Sequence, residues 1–224
     1  MNLTLSETQL PAEKKQLSIL IADDHSIVRI GLKIIISQIN SEINIEEATD
    51  GETVTRKVKS GAFDLLILDS NMPRTEPFSL TAWLLKEFPK MKILLFTINK
   101  ELTFAKRFLK LGVHGYLIKQ SGRYEITQAI GKIIDGEVYV SDLLLEIVPN
   151  DLINLNADNP FDLLSDREFE VVLQILKGYS VAEIAETLHI NPSTIGTHKS
   201  RILRKLKLAN ALELYSLART HRIV

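Results

Sequence analysis

Between Leu17 and Lys119, five short apolar runs alternate with longer segments of helical period: LSILIA, INIEEA, DLLIL, KILLFT and GYLIK. Strands of about five residues separated by about 10 to 20 residues of helical pattern cannot pair as simple hairpins. Each strand needs a crossover, and repeated βα units of this kind build a parallel sheet covered by helices on both faces. The pattern therefore predicts a five-stranded doubly wound α/β domain over residues 17–140. Four of the five runs also stop on a polar group: Asp23 and Asp24 after the first, Asp69 after the third, Thr97 at the end of the fourth and Lys119 at the end of the fifth. A carboxylate left unpaired at the end of a buried strand costs several kcal/mol, roughly, so something must compensate it or use it.

In doubly wound sheets the ligand site lies beyond the carboxyl ends of the strands, where strand order reverses. Three carboxylates, a hydroxyl and an ammonium are thus expected to converge there. Held together, the carboxylates repel one another, and a hard divalent cation with oxygen ligands relieves this. Mg2+ suits best because it accepts one or two carboxylates while keeping waters and phosphate oxygens. With Lys119 to neutralise further negative charge, such a site is suited to phosphoryl transfer onto a carboxylate.

The rest of the chain reads differently. Residues 1–16 are polar and are expected to form a flexible tail. Residues 141–160 carry Pro149, Pro160 and an Asn/Asp-rich patch, which predicts a linker enclosing a short helix. After Pro160 strand signals vanish, and residues 161–224 read as a four-helix domain. Its start signals are Ser165 with Glu168, Ser180 with Glu183, and Asn191 before Pro192. Residues 180–208 read as helix, tight turn, helix, with Ile184, Ala185 and Leu188 facing Ile195, Ile202 and Leu206. No acid lies between Glu186 and Glu213, whereas Lys199, Arg201, Arg204, Lys205, Lys207 and His198 do. The formal net charge of −1, from 27 basic and 28 acidic residues, conceals this segregation. A basic second helix in a helix-turn-helix pattern suits entry into the DNA major groove. Cysteine is absent, which fits a reducing cytoplasm, and no apolar run approaches the roughly 18 residues of a membrane span.

Residues 17 to about 135 resemble a receiver domain of two-component signalling. The match rests on ADDH (22–25), ATDG (48–51), LILDSNMP (66–73), LLFT (94–97) and GYLIK (115–119), in that order. The resemblance implies that Asp69 is the phosphoacceptor. It also implies that Asp24, Asp69 and the backbone carbonyl of Asn71 hold Mg2+, with Asp23 assisting through water. Lys119 would pair with the phosphoryl group, and Thr97 and Tyr116 would form the switch pair. Two departures follow the acceptor: Arg74 and Pro77 stand where such receivers usually carry Gly, giving a stiffer and more basic loop. Gln120 stands where many receivers have Pro after the lysine.

The segment from Leu164 to Leu208 resembles the LuxR-type helix-turn-helix, and the whole chain resembles a NarL/FixJ-type response regulator. By that resemblance Ser193, Thr194, Gly196, Thr197, Ser200 and Arg201 face DNA, with Arg204 and Lys205 near phosphates. Gly196 and Ser200 occupy positions where the family often has basic residues. The expected partners are DNA, a sensor histidine kinase and a second copy of the chain. LELYSLARTHRI offers the apolar face that the family uses for dimerisation. The function so implied is transcription control switched by phosphorylation of Asp69, without enzymatic turnover. Two alternatives differ from it in a definite way. In one, Arg74 and Pro77 lock the receiver and DNA binding escapes phosphorylation control. In the other the chain is an aspartate-nucleophile phosphatase of the haloacid dehalogenase class, which would carry its nucleophile in an Asp-x-Asp pattern on the first strand. His25 is expected to be a helix-start residue, and His198 packed or phosphate-facing.

Overall fold

The computed structural model describes residues 16–98, 102–141, 159–188, 190–221 and 223. The polar tail up to residue 15 and the short helix expected in the linker lie outside the described residues.

The first domain alternates β1 (Ser18–Ala22), α1 (Ser26–Ile39), β2 (Asn44–Ala48), α2 (Gly51–Ser60), β3 (Leu65–Leu68), α3 (Pro77–Glu87), β4 (Lys92–Thr97), α4 (Leu102–Leu111), β5 (Gly115–Ile118), α5 (Arg123–Ile134) and β6 (Tyr139–Val140). All strand pairs are parallel, in the order β2-β1-β3-β4-β5-β6. The sheet thus has six strands rather than the expected five. β6 is only two residues long, paired through Gly115↔Tyr139 and Tyr116↔Val140, and too short to carry a periodic signal of its own.

Side chains alternate between the two faces, as the pleat requires. Ile19, Ile21, Leu65, Ile67, Leu94 and Phe96 pack with Leu32 and Ile36 of α1 and Ile126 and Ile130 of α5. Leu20, Leu66, Leu68, Leu95 and Tyr116 face the other way, against Val54 of α2, Phe78 of α3 and Phe108 of α4. That second core continues into the helical domain through Phe161, Phe169, Ile195 and Ile202.

The helical domain opens with a 3-10 turn (Pro160–Leu163), followed by α6 (Asp166–Leu176), α7 (Val181–Thr187), α8 (Pro192–Leu206) and α9 (Ala211–Thr220). Both anticipated capping boxes are present, Ser165 with Glu168 and Ser180 with Glu183, and the Asn191 side chain accepts from Ser193 N. Ile184, Ala185, Ile195, Ile202 and Leu206 are buried between α7 and α8, as the spacing predicts. Among the described residues no helix is long and apolar enough to cross a membrane.

Gly115 is where β5 comes closest to its neighbours. A Cβ built there would lie 2.5 Å from Ile133 Cδ1, 2.9 Å from Leu94 Cδ1 and 3.2 Å from the Tyr139 carbonyl. Only the absent side chain lets α5 and β6 close over the strand that delivers Tyr116 and Lys119. Gly115→Ala should therefore lower stability by about 1–3 kcal/mol through overpacking, measured by urea unfolding; an unchanged midpoint would show that the contact relaxes freely.

Candidate functional site

Strand order reverses between β1 and β3, and the acids converge there. The backbone ladder continues one step past the strands: Asp69 N donates to Ala22 O at 2.8 Å, and Lys119 N to Thr97 O at 2.8 Å. These bonds set Asp69 beside the end of β1 and Lys119 beside the end of β4. Lys119 Nζ then lies 2.7 Å from Asp23 Oδ2 and 2.9 Å from Asp69 Oδ2. One ammonium is shared by two carboxylates that are 1% and 2% exposed, so neither is left uncompensated. Asp24 is more open to solvent, and its carboxylate approaches the group formed by Asp23, His25 and Asp69.

The charges do not balance within this group. Burial pushes the Asp69 carboxyl up, against the pull of Lys119, and the neighbouring Asp23 charge adds to the rise. Burial acts to lower Lys119, but its bonds to Asp23 and Asp69 outweigh this and hold the ammonium above its ordinary value. Three carboxylates facing one ammonium leave a deficit that a divalent cation fits, and one ligand oxygen from each lies within 4.8 Å of the others.

Beyond the carboxylates, Ser70 Oγ donates to Thr97 Oγ1 at 2.7 Å, and both residues are buried. Ser70 was not singled out in the sequence, because it looks like an ordinary turn residue until β3 and β4 lie side by side. Tyr116 is fully buried on β5. Asn71 N donates to Asp69 Oδ1 at 3.0 Å, which orients that carboxylate. The loop that follows keeps the backbone shape that Gly usually supplies: Arg74 has φ 53°, a left-handed conformation that costs a non-glycine residue about 1–2 kcal/mol. Pro77 is the first residue of α3, where a missing N–H is no loss. Thr75 pins the loop, accepting from Gly51 N at 2.9 Å. The described residues contain no cis peptide bond, so the Lys119–Gln120 bond is trans.

A family model for the response regulator receiver domain matches residues 19–131, and one for bacterial regulatory proteins of the luxR family matches residues 162–218. The response regulator GacA of Pseudomonas viridiflava is 31% identical over 207 residues, covering 92% of this chain and 97% of that protein. The chain belongs to the NarL/FixJ family of response regulators. The response regulator UvrY of Escherichia coli K12 is 29% identical over 92% of this chain and 94% of its own length. The oxygen regulatory protein NreC of Staphylococcus epidermidis is 33% identical over 90% and 96%. Among solved structures, RcsB of Salmonella enterica bound to promoter P1flhDC with the phosphomimetic BeF3− has a TM-score of 0.66 at 24% identity, covering 90% of this chain and 98% of that one. The regulator is a DNA-binding transcription factor of the two-component type.

Its DNA-facing candidates lie on α8. Ser193, Thr194, Thr197, Ser200, Arg201, Arg204 and Lys205 are exposed, and Gly196 is half-buried. The receiver does not cover them. Lys205 differs from the expectation of a free phosphate contact: its Nζ lies 2.6 Å from Glu168 Oε2 and donates to Leu163 O at 3.2 Å. Its charge is engaged within the domain. His198 is half-buried, and burial holds its imidazole below the ordinary value.

The two halves of the regulator are joined by two arginines. Arg107 of α4, 8% exposed, lies 2.8 Å from Asp166 Oδ1 and donates to the carbonyls of Phe161 at 2.6 Å and Leu164 at 2.9 Å. Its guanidinium also lies 4.4 Å above the Phe169 ring. Arg167 of α6 bridges Glu76, in the loop after Asp69, and Glu170, each at 2.9 Å. Between the domains is a cavity of about 710 Å³, lined by Arg74, Thr97, Phe104, Glu170 and Lys177 among others. Neither arginine could be singled out in advance, because a lone cation on a helix ordinarily belongs to a solvated face.

Two outcomes follow for this joint. Arg107→Ala removes the charge-assisted bonds to two carbonyls and to the half-exposed Asp166 and should cost about 1–3 kcal/mol of coupling. Calorimetry should then show the unfolding of the two domains further apart in temperature than in the wild type; an unchanged profile would remove Arg107 from the joint. Burial pushes Glu170 up to about 7. The folded state thus holds a proton that the unfolded state releases, and stability falls as pH rises from about 4.5 to about 7, by at most about 3 kcal/mol. Glu170→Gln should flatten that slope in a pH series of urea unfolding curves.

Proposed function

We propose that this regulator is switched by phosphorylation of Asp69 from a phosphohistidine of a sensor kinase. The observation that carries the reading is Lys119 Nζ held between Asp23 and Asp69, at 2.7 and 2.9 Å. In the transfer an Asp69 carboxylate oxygen forms the new P–O bond. The P–N bond of the kinase histidine breaks, and its imidazole leaves with a proton. Asp24, Asp69 and the Asn71 carbonyl, with Asp23 assisting through water, would hold a Mg2+ ion, which would supply charge neutralisation for the phosphoryl oxygens. Lys119 already stands beside the acceptor and needs to move little to reach a phosphoryl oxygen.

Thr97 is the near end of the relay. Its Oγ1 now accepts from Ser70; a phosphoryl oxygen competes for the Thr97 hydroxyl, drawing β4 and the start of α4 toward the acceptor. Arg107 lies on α4, so the same shift strains its bonds to Phe161, Leu164 and Asp166. The rigid loop through Arg74 and Pro77 carries Glu76 to Arg167 and so reads as part of the relay rather than as a block. To invert a 1:99 population the phosphoryl group must favour the active state by roughly 5.5 kcal/mol, within reach of several charge-assisted contacts.

The active species is proposed to be a homodimer acting in the cytoplasm. Ile27, Ile30 and Ile34 are 74%, 50% and 55% exposed at i, i+3 and i+7 on α1, beside exposed Tyr124 of the neighbouring α5. An uncharged stripe of this size is suited to a second copy of itself. On DNA, Thr197 and Arg201 are proposed to read base edges, with Ser193, Thr194 and Ser200 positioning α8 and Arg204 near phosphate.

Incubation of wild type and Asp69→Asn with acetyl phosphate and Mg2+ tests the proposal. Wild type should incorporate one phosphate, dimerise and bind a two-fold DNA site more tightly, and Asp69→Asn should do none of these. Wild type that incorporates no phosphate yet binds DNA equally well would favour control without phosphorylation. Rapid multiple turnover of a phosphate ester would favour the phosphatase.

A further inference from the structure

The cavity of about 710 Å³ at the joint takes its two walls from different halves of the chain. Its volume is in the range of small-molecule sites, roughly 300–1,000 Å³. The loop after Asp69 and the end of β4 contribute to one wall. Glu170, Leu173, Gln174 and Lys177 contribute to the other, spaced at i, i+3, i+4 and i+7 so that they share one face of α6 and its C-cap.

Glu170 is almost fully buried, and only one of its oxygens is used. Oε2 accepts from Arg167, while Oε1 has no hydrogen-bond partner among the described residues. A buried acceptor left unmade costs about 1–3 kcal/mol, so a donor supplied from the cavity would stabilise it. Burial also pushes this carboxyl up to about 7, which marks a local shortage of positive charge. Two cations stand at the rim, Arg74 on the receiver wall and Lys177 on the helical wall. Both are exposed, and neither makes an ion pair among the described residues. Of the remaining acids, Glu183 is engaged by Ser180 N in its capping box and Glu186 is exposed at the edge. The buried lining is largely apolar, with Met72 and Phe104 from one domain and Leu173 and Ile223 from the other. Glu170 and Lys177 are separated by about 10 Å along the helix axis. An α-amino acid with one hydrogen bond of about 3 Å at each charged end spans nearly that length.

We propose that this cavity binds a free α-amino acid with an apolar side chain, its ammonium on Glu170 and its carboxylate between Arg74 and Lys177. The side chain occupies the apolar lining. Because both walls supply contacts, the ligand binds the docked arrangement of the domains and stabilises it by mass action. The joint then responds to an amino-acid level without any change at Asp69.

The test uses the unphosphorylated full chain, so its outcome is independent of phosphorylation at Asp69. The standard amino acids are titrated into wild type by calorimetry, each apolar one beside its analogues lacking the amine or the carboxylate; for phenylalanine these are 3-phenylpropanoate and 2-phenylethylamine. Wild type should bind at least one apolar amino acid, with both of its analogues about tenfold weaker or more. Arg74→Gly, which suits the φ of 53° there, Lys177→Ala and Glu170→Gln should each weaken that binding about tenfold. The bound amino acid should also raise the unfolding temperature of both domains. Absence of binding by every amino acid up to about 10 mM overturns the proposal. So does an analogue that binds as tightly as its parent, an affinity unchanged in any of the three variants, or a thermal shift confined to one domain.

Discussion

Everything at the carboxyl edge of the sheet depends on Lys119 being shared between Asp23 and Asp69, at 2.7 and 2.9 Å. Without that ammonium the ends of β1 and β3 would bring two almost fully buried carboxylates together with no counter-charge between them. Yet one positive charge does not satisfy the group, as the raised Asp69 carboxyl indicates. The site is stable enough to fold and still short of positive charge. That imbalance is what a divalent cation fits.

The joint between the domains has the same economy of means. Arg107 uses its fork on two carbonyls of the 3-10 turn and on Asp166, while Arg167 reaches back to Glu76. Each contact starts from an element adjoining the acid pocket: α4 follows the strand that ends at Thr97, and Glu76 follows Asp69 by seven positions. Displacements at the site of a few tenths of an ångström therefore meet a charged, partly dehydrated interface. Such interfaces have discrete arrangements rather than a continuum, which is what a switch requires.

The sheet and its polar edge were legible because the signals were local and repeated. Five short apolar runs are separated by helical spacing and four of them end on polar groups, and the helix starts carry both partners of each capping box within four residues. The parts that escaped are non-local. β6 is a strand only because Gly115 lets Tyr139 come alongside. Ser70 matters only through Thr97, 27 positions away. Lys205 fits a DNA-facing pattern, but its partner Glu168 sits 37 positions back on another helix. Arg74 was readable as a departure, though not that an arginine would keep the left-handed backbone of the glycine it replaces.

The open α8 has a consequence for how control can operate. Because Thr197 and Arg201 are exposed while the domains are docked, a single copy would, on the proposed reading, already present a half-site reader. Phosphorylation, on that reading, would change mainly how many readers arrive together. Tethering two such readers converts the second encounter into an intramolecular one, at an effective concentration that reaches about millimolar for short links, with avidity gains on the order of 10²–10⁴. Discrimination between a lone half-site and a two-fold operator would then come from the spacing of two bodies, and the stiffness of the joint at Arg107 would set the span of operator they can reach.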